Sequence, residues 1–95
     1  MKYYRKLQSK LVSLERLIPN DSARQYAALR VGLPIMRMKV VRLLERKKTK
    51  LCKEDVNCLS REFSHVLDSI PQREIFKYPR LYAEASQIAT YLYIH

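Results

Sequence analysis

Residues 36–50 read Met-Arg-Met-Lys-Val-Val-Arg-Leu-Leu-Glu-Arg-Lys-Lys-Thr-Lys, and this stretch says most about the fold. Placed on an α-helix at about 100° per residue, it has one apolar face. That face consists of Met36, Val40, Leu43 and Leu44. Basic side chains run beside it at spacings of three and four, namely Lys39, Arg42, Arg46 and Lys50. The pattern predicts a helix with one face in a core and a neighbouring basic face turned towards something negative.

The residues before this stretch predict two helices. The first covers residues 2–18, with apolar positions at Tyr4, Leu7, Leu11, Leu14 and Ile18. The second begins at Ser22, where Gln25 completes a capping box, and contains the central stretch. Gly32 and Pro34 interrupt this helix and either kink or break it. The apolar period continues in phase across the interruption, which favours a kink.

Two more helices are predicted after residue 50. The third starts at Cys52 or Lys53 and ends at Ile70, and the fourth runs from Pro79 to the C-terminus after a connector with a helical turn. The fourth is aromatic and nearly uncharged, so we expect it to be the most buried element or to pack on a partner. Short connections join antiparallel neighbours, so residues 1–95 are predicted to form one all-α domain, an up-down four-helix bundle.

The positive charge is concentrated in the first half of the chain. The net charge is +10, made up of +11 in residues 1–50 and −1 in residues 51–95. This asymmetry favours an anionic partner: an acidic protein surface, RNA or DNA. Membrane binding is disfavoured because the amphipathic helices need their apolar faces for the core. Neither a membrane-spanning segment nor the hydrophobic core of a signal peptide is recognisable.

The cysteines and histidines give little indication of metal or catalytic chemistry. Cys52 and Cys58 point about 240° apart on one helix, so we expect free thiols and an intracellular, reducing compartment. Their spacing is not that of a zinc site, and a single glycine excludes glycine-rich phosphate loops, so no metal or cofactor is predicted. Cys58, Glu62 and His65 share one helical face and could support nucleophilic catalysis. Residues on one helix rarely align as nucleophile and base, so we predict that the chain is not an enzyme.

We therefore predict a non-catalytic interaction protein, a small subunit or adaptor of a larger assembly, which docks through helices 1 and 2. The predicted partner-binding residues are Arg37, Lys39, Arg42, Arg46, Lys47, Lys48, Lys50, Arg5, Lys6 and Lys10. Direct binding of RNA or DNA is the alternative, with the same cations on phosphates and Tyr3 or Tyr4 on a base.

Two family resemblances add further expectations. Tyr3-Tyr4-Arg5 in a basic first helix resembles the Leu-Tyr-Arg motif of small mitochondrial three-helix adaptor proteins, which implies an adaptor role in the mitochondrial matrix. Tyr3 stands where that family has leucine, and its phenylalanine late in helix 2 is missing. The stretch from Leu33-Pro34 to Lys50-Leu51 is similar to the central helix of bacteriocin immunity proteins, which are small basic four-helix bundles. That resemblance implies protection of a bacterial cell from a pore-forming peptide.

Overall fold

The computed structural model describes residues 2–20, 24, 26–46 and 50–94, and every regular element in these ranges is an α-helix. In chain order the helices are α1 (Lys2–Arg16), α2 (Ala27–Glu45), α3 (Lys53–Asp68), α4 (Gln72–Phe76) and α5 (Pro79–Ile94). The all-α prediction is therefore confirmed. The short α4 lies in the connector for which the sequence predicts a helical turn.

The helix boundaries differ from the predicted ones at both ends of α2 and at the ends of α1 and α3. α2 ends at Glu45 rather than Lys50, and α3 ends at Asp68 rather than Ile70. α1 ends at Arg16, because the amides of Leu17 and Ile18 bond to carbonyls three residues earlier and tighten the chain ahead of Pro19. α2 begins at Ala27 rather than Ser22, after Tyr26 at φ −111° and ψ 11°. The predicted Ser22–Gln25 capping box lies outside the described residues. α2 is one helix through Pro34, and its predicted bend there stays a prediction.

The four long helices form a closed ring of contacts around one core. α1 packs on α2 and α5, and α3 packs on the other side of both. The predicted apolar positions face inward, and the fully buried members include Leu7, Leu11, Leu14, Leu29, Leu33, Val40, Val56, Phe63, Ile88 and Leu92. Periodicity at three and four therefore predicts the core correctly on each long helix. Ile18, Leu43 and Leu67, at the margins of these stripes, are only partly buried.

Tyrosine side chains connect helices that are distant in sequence. Tyr3 of α1 and Tyr91 of α5 stack with ring centroids 4.6 Å apart, and each hydroxyl donates to the other residue's carbonyl at 3.2 Å. The buried Tyr26 hydroxyl donates to the Glu74 carbonyl of α4 at 2.7 Å, which fixes the short helix beside the start of α2. α5 nevertheless exposes Tyr93 and Ile94 at 83% and 73%, so it is not buried on all sides.

Candidate partner-binding surface

At one end of the molecule the start of α1 meets the end of α2 and the start of α3, beside the end of α5. The electrostatics of Tyr4 show this. Burial raises the pKa of the Tyr4 hydroxyl, the nearby Asp55 and Cys52 raise it further, and Arg46 lowers it. The hydroxyl forms no hydrogen bond within the described residues, so nothing of that kind stabilises its ionised form. We call the region formed by the start of α1, the end of α2 and the start of α3 the basic end.

The basic end carries five of the eight predicted partner-binding cations that the structure describes. The exposed members that the structure describes are Arg5, Lys6, Arg42, Arg46 and Lys50. Within the described ranges none of these five forms an ion pair, whereas Lys39 and Arg37 each do. Lys47 and Lys48 lie outside the described residues. The acidic residues of this region are Glu45, Glu54 and Asp55. The region therefore presents unneutralised positive charge to solvent.

The other three predicted cations turn towards three different neighbours. Arg37 Nε lies 3.2 Å from Glu15 Oε2 on α1, an ion pair without hydrogen-bond geometry, since Nε has no hydrogen-bond partner. Lys39 pairs with Glu62 on α3. Lys10 lies over the Tyr91 ring on α5, with Nζ 5.2 Å from the ring centroid. The cations of helices 1 and 2 thus do not all share one face. Exposed pairs of this kind contribute at most about 1 kcal/mol each.

A small groove runs along the α2–α3 contact beside the basic end. It has a volume of about 270 Å³ and is lined by Lys39, Arg42, Leu43, Arg46, Asp55, Cys58, Leu59 and Glu62. Because both signs of charge line it, an anion is attracted mainly to the Arg42 and Arg46 side. Electrostatic complementarity at such a surface directs association and selects partners.

The hydrogen bonds of Cys58 and Glu62 go to basic side chains, Arg61 and Lys39, among the described residues. Cys52 and Cys58 are free thiols, and Cys58 Sγ accepts from Arg61 Nη2 at 3.9 Å. Glu62 is engaged by Lys39. Among the described residues no hydrogen bond joins His65 to Cys58. The prediction that the chain is not an enzyme stays a prediction.

An exposed aliphatic surface on α2 is the feature that the sequence interpretation missed. Val31, Ile35 and Met38 are exposed at 63%, 48% and 57%. The signal was present in the sequence, because α2 is apolar on more than one side. Once the core stripe is assigned, these three residues remain at spacings of four and three.

Within the described ranges no helix is long and apolar enough to cross a membrane. The same ranges hold no group of three or more His, Cys, Asp or Glu side chains that could hold a metal ion.

No protein-family model matches this chain, and neither a curated protein nor a solved structure is detectably similar to it. The inference of function therefore depends on the surface itself.

Proposed function

We propose that this chain is a non-catalytic interaction protein, a small subunit or adaptor of a larger assembly, which docks on an anionic partner through its basic end. One observation carries the proposal. Arg5, Lys6, Arg42, Arg46 and Lys50 are exposed and form no ion pair among the described residues. Charges without internal partners are free to pair across an interface, where they increase association rates and select partners.

The proposal includes an architecture for this end. The four long helices would form an up-down bundle, with α2 bent at Gly32–Pro34. The ring of contacts between α1, α2, α3 and α5 supports it, as does the proximity of Tyr3 at the start of α1 to Tyr91 near the end of α5. In an up-down bundle the end of α2 and the starts of α1 and α3 lie side by side. Cations from separate sequence positions then form one surface on a packed scaffold.

Charge reversal with a matched control tests the proposal. Arg42→Glu/Arg46→Glu lowers the net charge from +10 by four, to +6. Arg73→Glu/Arg80→Glu makes the same change at exposed positions on α4 and α5. In pull-downs from the native source, we expect the first variant to lose its partner and the second to keep it. Equal retention by both, with unchanged helical circular dichroism, would refute docking at the basic end.

Nuclease treatment and salt titration separate a protein partner from nucleic acid. A co-purifying protein that survives nuclease supports the proposal. Loss of everything on nuclease treatment would instead identify direct RNA or DNA binding. In that case, neutralising about five phosphates would give a slope of log K against log salt of roughly −3.5 to −4.5, depending on strandedness.

A further inference from the structure

The outward face of α2 carries an uncovered row of aliphatic side chains. Val31, Ile35 and Met38 follow one another at i, i+4 and i+7 and therefore lie on one side of the helix. We call these three residues the apolar stripe. They are about half to two-thirds exposed, whereas the opposite side of α2 is buried in the core. A helix that is apolar on opposite sides is typical of a buried position, so this exposure indicates a surface that a partner covers.

The apolar stripe leads directly into the basic end. Arg42 lies four residues after Met38, on the same side of α2, and Arg46 follows one turn later. Beside the stripe, towards α3, lies a groove of about 390 Å³. It is lined by Gly32, Ile35, Met36, Lys39, Arg61, Glu62, His65 and Val66. A ligand that lies along α2 would therefore meet aliphatic side chains first. At its far end it would meet the guanidinium groups of Arg42 and Arg46, which form no ion pair with any described residue.

We propose that the apolar stripe binds an amphipathic helix of an acidic partner protein, with carboxylates of that helix paired to Arg42 and Arg46. This inference rests on the proposed function and specifies the partner for the same surface. Three anchors at i, i+4 and i+7 span about 10 Å, roughly two helical turns, which is the spacing at which helices present apolar side chains to grooves. The charge at one end of the stripe would fix the direction in which the partner helix lies.

Charge complementarity selects this occupant over a second copy or a nucleic acid. Two copies joined through α2 would bring like-charged helices together, since residues 27–46 carry Arg30, Arg37, Lys39, Arg42 and Arg46 against Glu45 alone. Nucleic acid would satisfy the two guanidinium groups but would leave the aliphatic side chains without apolar contacts. An acidic helix with an apolar face satisfies both parts of the surface.

The first test removes the aliphatic contacts without changing charge. Ile35→Ser/Met38→Ser is compared with Phe76→Ser/Tyr82→Ser, which removes two exposed apolar side chains from α4 and the first turn of α5, at the other end of α5 from Tyr91. Binding is measured to the protein recovered by the pull-down. We expect the α2 variant to bind at least about tenfold more weakly and the control variant to bind normally. The melting temperature of both should stay close to that of the wild type, because the replaced side chains are exposed.

The outcomes separate this inference from the proposed function. If Arg42→Glu/Arg46→Glu abolishes binding while Ile35→Ser/Met38→Ser binds within twofold of the wild type, the proposed function stands and the apolar stripe is rejected. If both double variants bind like the wild type, both proposals fall.

A photo-cross-linking amino acid at position 35 of the full chain identifies the occupant in cells of the native source. We expect a cross-linked peptide that is acidic and has apolar residues at spacings of three and four. A cross-linker at Ser64, exposed on α3, serves as the control and should not capture this peptide. Cross-links from position 35 to a second copy, to lipid or to nucleic acid, or the absence of any, would overturn the inference.

Discussion

At the scale of single residues, Gly32 determines how closely α2 approaches α3. A Cβ added at this position would lie 2.7 Å from Val66 Cγ2 and 3.4 Å from Cγ1. Valine is branched at Cβ and has few rotamers, so its methyl groups cannot easily turn away. Gly32 is the only glycine in the chain, and it lies inside a helix where glycine is ordinarily unfavourable. Close packing of the two helices explains why it is tolerated.

Gly32→Ala should lower the free energy of unfolding. Alanine favours the helix by about 0.5–1 kcal/mol over glycine, whereas an overpacked contact costs about 1–3 kcal/mol. We expect the clash to dominate, with a net loss of about 1 kcal/mol in urea unfolding. Adding Val66→Ala removes the clashing methyl groups, so the two substitutions should couple favourably by about 1 kcal/mol in a double-mutant cycle. Purely additive effects of the two substitutions would contradict this account.

At the scale of the elements, the sequence predicts each long helix and the side that faces the core. Leu7, Leu11 and Leu14 in α1, and Ile88 and Leu92 in α5, are fully buried as their spacing predicts. The buried side of a helix can be predicted from its own sequence, because apolar residues that recur with a period of 3.6 residues lie on one side. The start of α2 is less predictable: Ser22 matches a capping residue, yet the helix begins at Ala27. Boundary signals are short and compete with tertiary packing.

The candidate site can be predicted only in part from the sequence, because the ion pairs of its cations depend on contacts between helices. Arg42 and Arg46 are exposed and lie at the end of α2, as the helical pattern predicts. Pairing of Lys39 with Glu62, and of Arg37 with Glu15, depends on which helices are neighbours. Periodicity does not encode that information. The same limit applies to Lys10, whose contact with Tyr91 joins positions 81 residues apart.

The tyrosine contact between α1 and α5 should make stability depend on alkaline pH. Burial raises the pKa of the Tyr3 hydroxyl to about 12, and the nearby Tyr91 and Tyr4 hydroxyls add to the increase. The ordinary value is about 10, so the unfolded chain loses this proton first as pH rises. The unfolded state then binds fewer protons than the folded state, and stability falls with increasing pH. The Tyr3 contribution is complete below pH 10 and is lost between about pH 10 and 12.

Tyr3→Phe should reduce the loss of folding stability between about pH 10 and 12. The ring stack with Tyr91 can remain, while the hydrogen bond to the Tyr91 carbonyl is lost, at a cost of about 0.5–1.5 kcal/mol at neutral pH. Urea unfolding at pH 8, 9, 10 and 11 should show a shallower loss of stability than in the wild type. Tyr93→Phe is the control, since that side chain is 83% exposed, and it should leave the pH dependence unchanged. An identical decline in the Tyr3 variant would contradict the assignment.

At the scale of the whole molecule, excess positive charge opposes folding. The chain has 19 Lys or Arg residues and 9 Asp or Glu residues, so acids cannot pair with most of its cations. Within the described ranges, ion pairs join Arg37 to Glu15, Lys39 to Glu62 and Lys77 to Glu74. Compaction brings unpaired cations closer together, and the resulting repulsion lowers the stability of the folded state. A surface that binds an anion carries this cost in the free protein.

Moderate salt should therefore stabilise the free protein. Raising NaCl from about 20 to 300 mM shortens the Debye length from roughly 20 Å to 6 Å and screens the repulsion between cations. We expect the melting temperature of the wild type to rise over this range. The melting temperature of Arg42→Glu/Arg46→Glu, whose net charge is +6, should rise less. General salting-out of apolar surface would instead raise the melting temperature of both proteins by the same amount. Two outcomes would contradict this account: a melting temperature that falls with salt, or an equal rise in both proteins. Either would show that the cations at the end of α2 do not destabilise the free chain.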